Sequence, residues 1–72
     1  ISTSGNSSNI VNAAKFGNDN ELKVISLSGN DGGMLKQYAD INLNIPTNST
    51  QRIQEMHILI GHILCDVIEH SL

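Results

Sequence analysis

From about Gln51 to His70 the sequence reads as one helix of roughly 30 Å that is apolar around nearly its whole circumference. At ~100° per residue with Gln54 as origin, Glu55, His62, Asp66 and Glu69 gather between about 60° and 120°. Met56, Ile58, Leu59, Ile60, Ile63, Leu64, Cys65, Val67 and Ile68 take most of the remaining circle. A helix with so narrow a polar stripe is not a surface helix of a small monomer; other elements or other subunits must cover it, and an oligomer is expected. The chain has little else to cover it with. It holds 72 residues, 39% of them hydrophobic, with one Phe, one Tyr and no Trp, enough for one small domain or part of one.

Four Lys and Arg against seven Asp and Glu give a net charge of −3, so no cationic surface is on offer to a nucleic-acid backbone or an anionic membrane. Neither partner is expected. Cys65 stands alone, which closes the disulfide-scaffold route to stability; it reads as a small buried hydrophobe in a reducing compartment. With no run of ~18 apolar residues and no charged segment before a short apolar one, neither a membrane span nor a signal peptide is read, and a cytoplasmic location is expected. The triplets Asn6-Ser7-Ser8 and Asn48-Ser49-Thr50 match the glycosylation pattern but carry no weight without such a signal. The chain opens on Ile1 and passes straight into a serine-rich turn with no strand before it, so upstream sequence is expected.

Ahead of the long helix, the spacing predicts a helix from about Ser7 to Asn18 with Ile10, Ala13, Ala14 and Gly17 on one face, stopped by Gly17-Asn18-Asp19-Asn20. Leu22 to Leu27 reads as a strand covered on both faces, the mark of a parallel sheet. Gly29-Asn30-Asp31-Gly32-Gly33 is a turn, Met34 to Ala39 one or two helical turns, and Asp40 their close. Ile41, Leu43 and Ile45 alternate with Asn42 and Asn44 in a strand with one polar face, ended by Pro46. The alternation of helices and strands is that of an α/β fold, a parallel sheet flanked by helices.

Two constellations could carry chemistry. Ser2, Thr3, Ser4 and Ser7 crowd around Gly5 at a helix start, where free backbone N–H groups, the helix dipole and short hydroxyls form an anion site without Lys or Arg. A phosphate fits there, and so does a simple capping turn with spare serines. The nucleotide P-loop pattern is absent, which favours a sugar phosphate over ATP. Gln54 and His62 lie two turns apart on the long helix and could touch one small ligand or metal. By spacing alone, an ion pair of His62 with Asp66 is the simpler reading. His57 and His70 fall off the polar stripe and read as structural or exposed; Glu21, Asp31 and Asp40 sit in turns.

Four segments together resemble the C-terminal half of the phosphoheptose isomerases, the sedoheptulose-7-phosphate isomerases of the sugar-isomerase (SIS) domain superfamily. They are Ile1-Ser2-Thr3-Ser4-Gly5-Asn6-Ser7, Leu27 to Gly33, Ala39-Asp40, and Gln51-Arg52-Ile53-Gln54-Glu55-Met56-His57 through Gly61-His62-Ile63-Leu64-Cys65. The serine turn marks only the superfamily; Arg-Ile-Gln-Glu-x-His with a further His five residues on is more specific. The resemblance covers essentially all 72 residues and implies the C-terminal half of one SIS domain, a three-layer sandwich. It implies that Ser2, Thr3, Ser4 and Ser7 hold a substrate phosphate, that Gln54 contacts substrate and ligates zinc, and that His62 ligates zinc and serves as catalytic acid/base. A further His and Glu ligand would lie in the N-terminal half, outside this chain. Gln51 stands where some members carry an Asp near the substrate.

The implied reaction interconverts sedoheptulose 7-phosphate and D-glycero-D-manno-heptose 7-phosphate through an enediol, for lipopolysaccharide or related bacterial glycans, in a homotetramer with active sites between subunits. The alternative is a non-catalytic SIS-domain binder, such as the replication-initiation regulators, which keep fold and tetramer but serve protein contacts. Such a scaffold has no need of Gln54 and His62. A sugar-phosphate sensor of transcription would want a helix-turn-helix or basic segment, and none is present.

Overall fold

The computed structural model describes residues 1–72 in the order α1 (Ser8–Asp19), β1 (Ile25–Gly29), a 3-10 turn (Leu35–Tyr38), β2 (Ile41–Ile45) and α2 (Thr50–Ser71). The two strands run parallel, from Ile25 opposite Ile41 to Gly29 opposite Ile45. This is an α/β arrangement in partial form, a parallel pair with two helices.

α1 buries Val11, Ala14 and Gly17, so its inner face is rotated from the one expected: Ile10 is half-buried and Ala13 exposed. What it packs on decides this, since Val11 and Ala14 close over Leu35 of the 3-10 turn, flanked by Ile10, Val24 and Tyr38. Nor does Gly17 stop the helix. It is buried within it, where a Cβ would stand 3.0 Å from Val24 Cγ2. The stop comes from Glu21, held in the left-handed region at φ 61°, while the Leu22 and Glu21 N–H groups return to the Gly17 and Asn18 carbonyls at 2.9 and 3.2 Å.

That closure starts β1 three residues after the expected Leu22, and the strand ends at Gly29 where Leu27 was expected. Leu22 is consumed in ending α1, and the Val24 N–H donates to Asp40 Oδ2 at 2.7 Å instead of to a neighbouring strand. Asp40 therefore fixes the start of the sheet as well as closing the 3-10 turn. The strand is also less apolar inside than expected, because Ser26 and Ser28 are buried beside Leu27. Their hydroxyls donate to Asn42 Oδ1 at 2.6 and 2.8 Å, and Ser28 also reaches Asn44 Oδ1 at 3.1 Å. The polar face of β2 meets these serines, and Ile41 is the more exposed residue.

α2 is fastened at two buried points only, Ile53 and His57. Ile53 is wholly buried against Gly29, and His57 Nε2 donates to the Ser28 carbonyl at 2.8 Å. Beyond them Ile58, Leu59, Ile63, Leu64, Val67 and Ile68 are 36–61% exposed. Cys65, expected to be buried, is exposed on this uncovered stretch. No helix is long and apolar enough to cross a membrane.

Candidate functional site

The serine turn is held from two sides. The Ser2 N–H donates to the Leu27 carbonyl at 2.9 Å, laying the turn beside β1, and the Leu35 N–H donates to the Gly5 carbonyl at 2.9 Å. Gly5, at φ 74°, lies against the Gly32 carbonyl so closely that a Cβ would collide with it. Asn6 Oδ1 accepts from the Met34 N–H at 2.9 Å. The glycine-rich turn after β1 thus serves as a mould for the serine turn.

Ser7 occupies the N-cap position of α1, yet its side chain caps nothing; its oxygen accepts from the Ser2 hydroxyl at 3.1 Å. The first turn of α1 therefore has no side-chain cap, and its outward N–H groups and positive dipole end remain available to an anion. The Ser2 and Ser4 hydroxyls serve the turn itself, accepting from the Gly5 and Asn6 N–H groups at 3.1 and 3.0 Å.

Between the serine turn and α2 lies a cleft of about 680 Å³. Ser2, Thr3 and Ser7 line one wall; Gln54, His57, Ile58, Gly61, His62 and Cys65 line the other, with Ile1 at the edge. Candidates from the two ends of the chain thus share one space. The expected His62–Asp66 ion pair is not formed: Asp66 Oδ1 faces His70 Nδ1 at 3.4 Å, which leaves the His62 ring free toward the cleft.

Two candidates stand apart. The Ser4 hydroxyl accepts from the Asn6 N–H at 3.0 Å and lines a separate, largely polar pocket of about 640 Å³ with Asn6, Asn30, Asp31, Pro46, Thr47 and Asn48. Gln51 is exposed at the start of α2 and lines neither space. His57, in contrast, forms part of the cleft wall while being 3% exposed. Its place three residues after Gln54 on a helix was the available signal, masked because its apolar surroundings made a structural role the simpler reading. No group of three His, Cys, Asp or Glu side chains is placed to hold a metal ion.

No protein-family model matches the chain. It is 61% identical over 69 residues to a phosphoheptose isomerase of Helicobacter hepaticus, covering 96% of this chain and 35% of that protein. To the phosphoheptose isomerase of Aliarcobacter butzleri it is 53% identical over 72 residues, 100% of this chain and 38% of that protein. A solved phosphoheptose isomerase from Francisella tularensis superposes with a TM-score of 0.89 at 45% identity, over 97% of this chain and 40% of the other. The chain thus spans little more than a third of the length of the curated relatives it matches.

Proposed function

The chain belongs to the phosphoheptose isomerase family, matching its members' C-terminal part, and from this we propose that it supplies one side of an isomerase active site. The reaction is the interconversion of sedoheptulose 7-phosphate and D-glycero-D-manno-heptose 7-phosphate. The observation that carries the reading is the single cleft in which Ser2, Thr3 and Ser7 face Gln54 and His62. In domain terms, residues 1–72 are the C-terminal half of one SIS domain.

The serine hydroxyls and the uncapped start of α1 hold the phosphate, which orients the sugar so that its far end reaches α2. There the Gln54 amide binds the sugar near its carbonyl. The His62 imidazole, without a competing carboxylate, moves a proton to or from the C1 and C2 oxygens while a carboxylate outside this chain takes the carbon-bound proton. Ser4 contributes to the phosphate site through its place in the turn, its hydroxyl being engaged by Asn6. Gln51, exposed and lining neither space, is assigned no contact with substrate.

For zinc, this chain's donors in the cleft are His62 and the Gln54 amide oxygen; His57 and Cys65 line the same cleft, but no three His, Cys, Asp or Glu side chains are grouped to hold an ion. A catalytic zinc ordinarily takes three protein ligands of the His, Cys, Asp or Glu type, so His62 fits as one, the Gln54 amide oxygen would be an unusual second, and the rest of the sphere would come from outside the chain. When bound, the ion would polarise the substrate carbonyl and stabilise the enediolate. The apolar length of α2 supports a homo-oligomer, a tetramer in the family's manner, and the reading places the enzyme in the cytoplasm in the synthesis of heptose for lipopolysaccharide.

The test is His62→Ala in the full-length protein that carries this sequence. Turnover of sedoheptulose 7-phosphate is expected to fall by about 10²–10⁴-fold with assembly and inorganic-phosphate affinity kept. Retained turnover would remove His62 from its role. Zinc content of the purified protein should drop in His62→Ala and in Gln54→Ala, and a wild-type protein with neither zinc nor turnover would favour the non-catalytic binder.

A further inference from the structure

His57 is the one buried titratable side chain that the proposed reaction does not use. A carbonyl can only accept, so the 2.8 Å contact with the Ser28 carbonyl requires the proton of the neutral ring to sit on Nε2. The other nitrogen, Nδ1, is then an acceptor, and it is buried with no hydrogen-bond partner. As a contribution to stability the arrangement is poor, since the desolvated acceptor offsets much of what the bond to Ser28 provides. Nor is the ring needed to dock the helix. Ile53, one turn earlier and wholly buried against Gly29, already does so by apolar contact.

Apolar contact is non-directional, whereas a hydrogen bond to a strand carbonyl fixes an angle. Consecutive carbonyls of β1 receive the two walls of the cleft: Leu27 accepts from the Ser2 N–H at 2.9 Å, and Ser28 from His57 at 2.8 Å. His57 also lies between Gln54 and His62 along α2, so a turn of the helix about its axis would swing both away from the serine turn.

We propose that His57 is a positioning residue which, by donating Nε2–H to the Ser28 carbonyl, sets the rotation of α2 so that Gln54 and His62 face the serine turn. The inference rests on the isomerase reading of that cleft. His57 itself touches no reacting atom; it acts through Gln54 and His62. A misplacement near 1 Å at a reacting group can cost about 10²-fold in rate, which sets the scale of the effect.

The experiment compares His57→Leu, which fills the volume without a donor, with His57→Gln, whose amide can place an N–H near Nε2, both in the full-length protein. His57→Leu is expected to lower kcat by about 10- to 100-fold, with inorganic-phosphate affinity unchanged because the serine turn is anchored independently. His57→Gln is expected to recover most of that loss. Unchanged kcat in the Leu variant, or equal losses in both variants, would overturn the inference. Should the Leu variant fail to fold, nitrogen NMR of the wild-type protein decides: a proton on Nε2 is expected, and one on Nδ1 alone overturns the proposal. Wild-type turnover is the separate check on the isomerase reading, which can fail while the NMR result stands.

Discussion

Gly29, the last residue of β1, and Ile53, in the first turns of α2, are in contact so intimate that no side chain can come between them: a Cβ on Gly29 would collide with Ile53 Cδ1 and lie 2.6 Å from the Thr3 carbonyl oxygen. This is where strand, serine turn and long helix converge, and the cleft opens beside it.

Gly29→Ala should therefore act as a wedge. Backbone on one side cannot yield, so Ile53 and α2 must, at a cost of about 1–3 kcal/mol. Denaturant unfolding of the full-length protein measures the loss, and turnover should fall with it as Gln54 and His62 are pushed from Thr3. A variant as stable as the wild type would show that α2 is not held where it is described.

Gly61→Ala should do the opposite. Gly61 lies mid-helix with nothing within 4 Å of the place a Cβ would occupy. Restricting the unfolded chain should stabilise the protein by about 0.5–1 kcal/mol, read as a raised Tm, and because Gly61 lines the cleft, turnover reports separately on the space beside it. Lost activity in a stabilised variant would mean that substrate occupies the space beside Gly61.

Asn42→Leu tests the polar contact between the strands. Asn42 Oδ1 accepts from both Ser26 and Ser28, so leucine would strand two buried hydroxyls at about 1–3 kcal/mol each if neither finds another partner. Ser28 keeps a second acceptor in Asn44, so Ser26 should bear most of the penalty. Adding Ser26→Ala to Asn42→Leu should recover part of the stability in the same unfolding assay.

The isolated 72-residue chain should show no cooperative thermal transition by circular dichroism. Its buried hydrophobic side chains are only Val11, Ala14, Leu27, Leu35 and Ile53, too few to offset the entropy of ordering the backbone. A sharp transition would contradict this. In the full-length protein, Ile63→Asp with Val67→Asp should shift the assembly to smaller species in analytical ultracentrifugation, since both residues lie on the uncovered part of α2.

Helix and strand types were legible because periodicity and breaker residues act locally: α1 ends within the expected Asn18-Asp19-Asn20 stretch, and Pro46 follows β2. The start of β1 was not, because it depends on two contacts distant in sequence or geometry, the Leu22 return to Gly17 and the Asp40 carboxylate on Val24. Ser26 passes unnoticed in a strand read as apolar, and Ser28 falls beyond its expected end, until Asn42 and Asn44 are placed across from them. Of the candidate site, the clustering of hydroxyls was visible in the sequence, but that Ser7 leaves α1 uncapped and that Asp66 turns to His70 rather than His62 are facts of side-chain geometry.

The serine–asparagine contacts between β1 and β2 also act as a proofreading device during folding. Slipping the strands by one residue would set Ser26 against Ile41 and Ser28 against Leu43, or Ser26 against Leu43 and Ser28 against Ile45, stranding both hydroxyls in a dry interior. An all-aliphatic pair would tolerate such a slip far better. Because the Ser2 and His57 anchors hang from Leu27 and Ser28 of the same strand, whatever secures the alignment of two strands also secures the width of the cleft.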